Sequence, residues 1–145
     1  MDNLRFGTAG IPLSTPDKRT TLAGVQRVRA LGLDAMELEF VRSVNLSPEK
    51  ALLVKEEART RDVVLTCHGQ YYVNLNAKDP AVLRASVQRI LQACDMAWNA
   101  GAWSIVYHMA YYMNLEKPQV YQNVKKHLKE INSDVKVEAF VLDLD

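Results

Sequence analysis

Three dipeptides constrain this chain more than any other feature: Thr15-Pro16, Ser47-Pro48 and Asp79-Pro80, spaced at a constant interval of 32 residues. A side-chain acceptor followed by proline marks a helix start. The first residue caps free backbone N–H groups, and proline, which has none to offer, suits the first helical position. A fourth helix is expected near Lys117-Pro118, after a longer loop. A period of this size means one supersecondary unit per repeat.

Each start follows a strand-like run. The candidates are residues 4–9, 35–41, 63–68 and 104–109, with a fifth at 135–142. The third helix is the clearest, with Leu83, Val87, Ile90, Leu91, Cys94, Ala97 and Trp98 recurring every three or four positions. Val120, Val124, Leu128 and Ile131 do the same in the fourth, with Lys125, Lys126 and Lys129 mostly off that stripe. In the first, Leu22, Val25, Val28 and Leu31 form the stripe and Gly32 supplies the C-terminal cap. The second, from 49 to about 59, is the least periodic.

The order β-α-β-α-β-α-β-α-β demands a parallel sheet with right-handed crossovers. A doubly wound open sheet and a (β/α)8 TIM barrel both satisfy it. The second strand favours the barrel, because Glu37 and Glu39 share one face while Met36, Leu38 and Phe40 share the other. Helices on both faces would bury those carboxylates at a high cost unless they were paired, whereas a barrel points them inward. The stretch Phe6-Gly7-Thr8-Ala9-Gly10 also lacks the glycine fingerprint of dinucleotide folds. The expected architecture is a single α/β domain over 1–145: four βα units plus a fifth strand, the N-terminal half of a barrel that takes 200 residues or more to close. Either the chain is truncated or a partner, such as a second copy, covers its open edges.

Composition narrows the function classes. With 48% apolar and 24% charged residues the chain is globular rather than disordered. The net charge of +1 leaves no broad basic footprint, so any nucleic-acid contact must come from a local site. Cys67 and Cys94 read as reduced thiols, no signal peptide is visible, and no apolar run is long enough to span a bilayer. A cytoplasmic protein is expected, with no membrane partner.

Active sites of such barrels lie at the carboxyl ends of the strands. His68 ends the run Val63-Val64-Leu65-Thr66-Cys67-His68, and His108 ends Ile105-Val106-Tyr107-His108. Neutral imidazoles on consecutive strands suit zinc or another divalent metal. Glu39, ending the preceding strand, is a candidate ligand or hydrogen-bond partner to a ligand. The blander reading makes both histidines simple hydrogen-bonded strand ends. His127 sits among lysines on a helix and reads as solvated, and Cys67 should face the helix layer as buried packing. Glu37 is a candidate partner for Arg5. The aromatic pairs Tyr71-Tyr72 and Tyr111-Tyr112 follow the two histidines. They either pack the loops onto the scaffold or stack on bases and sugars.

The segment His68-Gly69-Gln70-Tyr71-Tyr72-Val73-Asn74-Leu75 resembles the endonuclease IV family of zinc-dependent DNA-repair enzymes, within the xylose-isomerase-like barrel superfamily. In that family a zinc-ligand histidine is followed three residues later by a tyrosine and then by an aliphatic-Asn-Leu run. His108 stands where the family carries another zinc-ligand histidine. The alternating stretch Met36-Glu37-Leu38-Glu39-Phe40-Val41-Arg42 is similar to the second strand of archaeal-type members. The resemblance extends from residue 4 to about 132.

It implies hydrolysis of the DNA backbone on the 5′ side of abasic sites, with zinc supplying activated hydroxide and charge stabilisation. By the same resemblance His68 and His108 are metal ligands, and Tyr71 and Tyr72 belong to the loop that meets DNA at the lesion. The family's next ligand, a glutamate ending the fifth strand, is unmatched: Glu138 lies early in its run and lacks the family's following motif. The catalytic residues stay unassigned, and a chain without the second half's ligands is expected to be inactive alone. Two rival readings stand beside this one. One is a metal-dependent sugar isomerase or epimerase of the same superfamily using Glu37 or Glu39. The other is a non-catalytic half-barrel that self-associates.

Overall fold

The computed structural model describes residues 4–16, 19–132 and 140–143. Among them the order is β1 (Gly7–Ala9), α1 (Thr21–Ala30), β2 (Ala35–Glu39), α2 (Pro48–Thr60), β3 (Val64–His68), α3 (Pro80–Asn99), β4 (Ala102–His108), α4 (Lys117–Asn132) and β5 (Phe140–Asp143). All neighbouring strands pair in parallel, in the sheet order β1-β2-β3-β4-β5. A doubly wound sheet reverses its strand order at a switch point, and this one never does. The architecture is half of a TIM barrel. The expected strand at 135–142 is present from Phe140, while 135–139, Glu138 included, lie outside the described residues.

Alternation in the strands sorts the two faces. Met36, Leu38, Phe40, Leu65, Cys67, Ile105 and Tyr107 are all buried on the outer face. They pack in one cluster with Val25 and Val28 of α1, Ala51 and Val54 of α2, Ile90 and Ala93 of α3, and Val120 and Val124 of α4. Burying each large apolar side chain contributes ~1.5–3 kcal/mol. A one-residue slip of β2 would exchange Met36, Leu38 and Phe40 for Glu37 and Glu39, so the register is strongly specified. The inner face stays half-open: Glu37, Thr66, His68, Val106 and His108 are part-exposed and Glu39 is exposed. No helix among the described residues is long and apolar enough to cross a membrane.

The helix starts follow the sequence pattern at three of four places. The Ser47 side chain accepts from the Lys50 N–H and that of Asp79 from the Ala81 N–H, each just ahead of its proline. α4 begins at Lys117. The first start is a correction. α1 begins at Thr21, capped by the Thr20 hydroxyl, which accepts from the Ala23 N–H at 3.2 Å. Thr15 instead closes a turn, its N–H donating to Pro12 O at 3.0 Å. Its side chain turns inward, and the Thr15 Oγ1 finds no hydrogen-bond partner among the described residues. Gly32 follows the C-cap Leu31 with φ +75°, the left-handed turn expected of it. Leu31, the C-cap beyond the last helical residue, is not part of the buried stripe and is exposed, as is Trp98 at the end of α3, where the Lys55 ammonium lies 5.9 Å from the ring centre.

These assignments separate two threonines. Thr20→Ala should cost about 1 kcal/mol in urea unfolding through the lost cap. Thr15→Val, which removes a buried and unpaired hydroxyl, should leave stability unchanged or raise it. The reverse ranking would restore Thr15 as the cap.

Candidate functional site

Register brings the rim together. In the β2–β3 ladder Glu37 pairs with Thr66 and Glu39 with His68, and in the β3–β4 ladder His68 pairs with Val106. Paired residues of parallel strands share a face, so His108, two beyond Val106, stands on the same side as His68. Their ring centres are 5.3 Å apart. The sequence expectation that the two histidines converge is met in geometry.

The residue after His68 fixes its ring. The His68 Nδ1 lies 2.8 Å from the Gly69 carbonyl oxygen, which can only accept, so the proton is on Nδ1. In the neutral ring the Nε2 lone pair is then the one left for a ligand, the arrangement typical of metal-binding histidines. Gly69 is required by close approach: a Cβ there would overlap the Tyr107 ring. Tyr107 is fully buried, and its hydroxyl donates to the Ile90 carbonyl of α3 at 3.4 Å.

Tyr71 joins the pair. Its ring centre is 5.4 Å from that of His68, edge-on, and 5.6 Å from that of His108. Tyr71 is 46% exposed and Tyr72, outside this cluster, is 64% exposed. Arg89 holds the Tyr72 carbonyl at 3.0 Å. The structure thus brings together His68, His108 and Tyr71, with Tyr72 on the adjoining surface. Glu39 lines a neighbouring cleft of about 290 Å³ with Glu37, Gly10, Arg19 and Asn45. Among the described residues no group of three or more His, Cys, Asp or Glu is arranged to hold a metal ion. β5 sets the backbone of Asp143 in register with His108.

Other sequence expectations resolve variously. Cys67 is fully buried toward the helices as expected, and desolvation pushes its thiol far up; burial raises Cys94 to about 12. Arg5 does not meet Glu37. Its guanidinium donates to the Asp62 carboxylate at 3.0 Å and to the Asp62 carbonyl at 3.0 Å. Asp62 is reached because it lies on the turn feeding β3, where φ is +52°. His127 is not simply solvated: its side chain is 19% exposed and its Nδ1 lies 3.0 Å from the Glu130 carboxylate. Sequence reasoning quoted Asn74 only as part of the resemblance and gave Asn76 no role; the burial of both was missed.

The chain belongs to the xylose isomerase-like TIM barrel family, whose model matches residues 25–138. It is 34% identical over 141 residues to an uncharacterized protein, MJ0133, of Methanocaldococcus jannaschii, covering 97% of this chain and 49% of the relative. The chain therefore spans about half the length of the curated relative it matches. Among solved structures, endonuclease IV from Thermus thermophilus superposes with a TM-score of 0.69 at 21% identity, over 92% of this chain and 50% of that one. An L-ribulose 3-epimerase superposes with a TM-score of 0.71 at 12% identity, over 97% of this chain and 48% of that one. At these identities the superpositions establish the fold.

The rim carries one clear electrostatic signature. Burial raises the Glu37 carboxyl above its ordinary value, the His68 ring opposes this, and Glu39 adds to it. A carboxyl whose folded pKa is raised binds its proton more tightly in the folded state. Its penalty is absent below the unfolded value of 4.5 and grows as pH rises through the folded one. Glu37→Gln should therefore be more stable than the parent at neutral pH, with the difference closing as pH falls toward 4.5. Denaturation at several pH values checks this, and a gap that widens on acidification contradicts it.

Proposed function

We propose that this chain supplies one half of a metal-dependent phosphodiesterase site of the endonuclease IV type, acting on abasic sites in DNA. The observation that carries the reading is the triad of rings at the rim. Two imidazoles from consecutive strands stand 5.3 Å apart, one with its Nδ1 engaged by a carbonyl, and a part-exposed tyrosine lies against both. His68 and His108 are the ligands of zinc or another divalent metal. Zinc takes three or four protein ligands, so the two imidazoles meet part of its need and the remainder comes from outside the described residues. When bound, such a metal supplies activated hydroxide and neutralises phosphate charge. The part played by this chain is binding and orientation. His68 presents Nε2, Glu39 stands in register beside His68 as a carboxylate partner, and Tyr71 and Tyr72 offer aromatic faces to an exposed base or sugar. The near-neutral net charge agrees with recognition through that local surface.

A second reading, a sugar isomerase or epimerase, is favoured by the cleft beside Glu37 and Glu39, whose size is near the lower bound for small-molecule sites. Elemental analysis of the purified chain eluted from a sizing column tests for the metal that both readings need, and titration of duplexes with and without an abasic site separates them. Retained zinc is expected once the ligands that lie outside the described residues are supplied. Replacing His68 or His108 by alanine should lower zinc affinity by more than the ~10–100-fold typical of losing an outer partner. Tyr71→Ala should weaken binding to the abasic duplex by about 1–3 kcal/mol. A chain that ignores abasic DNA and binds monosaccharides would replace the first reading with the second, and a metal-free chain would count against both, since each needs a metal.

A further inference from the structure

The loops after β3 and β4 are joined by amide hydrogen bonds that metal binding itself does not use. Asn74 and Asn76 are 8% and 4% exposed. The Asn74 Oδ1 accepts from the Asn76 N–H at 3.0 Å and, across the gap between loops, from the Tyr111 N–H at 3.3 Å. The Asn76 amide nitrogen donates to the Tyr111 carbonyl at 2.8 Å and more weakly to that of Tyr112 at 3.4 Å. Its Oδ1 accepts from the Asn123 side chain of α4 at 2.8 Å. Both ends of the Asn76 amide are therefore engaged, and no other side chain of its length offers a donor and an acceptor in this fork.

The network reaches the rim through Tyr111. With its backbone held on both sides, Tyr111 directs its hydroxyl to the Tyr71 carbonyl at 3.3 Å, while the Tyr71 N–H donates to Val41 O at 3.2 Å. The backbone of Tyr71 is thus held at both its polar groups, and its ring contacts both histidines. The same bonds hold down a strained turn, since Met113 and Asn114, directly after the clamped carbonyls, have φ of +52° and +61°.

We propose that Asn74 and Asn76 are positioning residues, which lock the β3 and β4 loops into one body and thereby seat Tyr71 against His68 and His108. The purpose of the seat, an aromatic surface fixed beside the metal- and DNA-facing rim, rests on the function proposed above. The lock itself is independent of it. One consequence is that the rim is organised before any ligand arrives, which lowers the ordering cost of binding.

The test is nuclear magnetic resonance of the imidazole protons and nitrogens of His68 and His108 in the full chain, with and without added zinc. Tyr71 shifts these resonances through its ring current, and Tyr71→Leu defines the unshifted positions. Asn76→Asp keeps the size and the acceptor for Asn123 but loses both donors. It should move the resonances toward those of Tyr71→Leu. Val25→Ala, a core change in α1 far from the loops, serves as the control for lost stability, compared at equal distance below its own melting temperature. Wild-type shifts in Asn76→Asp, or equal displacement in Val25→Ala, would overturn the proposal. If Asn76→Asp fails to fold, Tyr111→Phe removes only the bond to Tyr71 and decides in the same way. Histidine resonances that show the Tyr71 shift yet do not respond to zinc would defeat the metal reading and leave the lock standing.

Discussion

The contest between carboxylate hydration and apolar burial in β2 governs the rest of the molecule. Glu37 and Glu39 alternate with Met36, Leu38 and Phe40, and only one face of the sheet is roofed by helices. Each buried side chain on the roofed face is worth a few kcal/mol, and each ionised carboxylate placed there unpaired would cost at least as much. The strand therefore has one acceptable orientation. Parallel pairing carries that orientation to β3 and then β4, so His68 and His108 face inward because Cys67 and Tyr107 must face outward. The rim geometry is a by-product of how the core packs.

Much of this was legible beforehand because it is periodic. The strand alternation, the helical stripes and the proline-marked caps at Ser47 and Asp79 each report a local preference that the fold also satisfies. Where local and tertiary demands part, the reading failed. Thr15-Pro16 has the chemistry of a cap, but its threonine closes a turn and buries its hydroxyl, and Thr20 takes the role five residues on. Arg5 meets Asp62 instead of Glu37 because long side chains at strand ends take partners that no spacing rule identifies. The histidines of the site were visible since they end strands. The bonding of the asparagines that seat Tyr71 was not, because loop hydrogen bonds between residues 35 to 47 positions apart leave no pattern in a single sequence.

A barrel of this kind separates scaffold from chemistry. The same half superposes on an endonuclease IV and on an L-ribulose 3-epimerase with almost equal fidelity, so the fold cannot choose between their reactions. What distinguishes the readings is which inward residues meet at the rim. The histidine–tyrosine cluster after β3 and β4 speaks for one, and the acidic cleft beside β2 for the other.

The contact between Gly69 and Tyr107 has an evolutionary corollary. The backbone that fixes the His68 tautomer leans against a ring whose hydroxyl is anchored in α3, so position 69 cannot gain a side chain while that ring stands. A descendant could acquire a side chain at position 69 only after its lineage had first accepted a smaller residue at 107 and tolerated the resulting void. That order of events makes the pair a one-way gate for mutation. Substitutions at the two sites among descendants should be correlated, with the core change always the older.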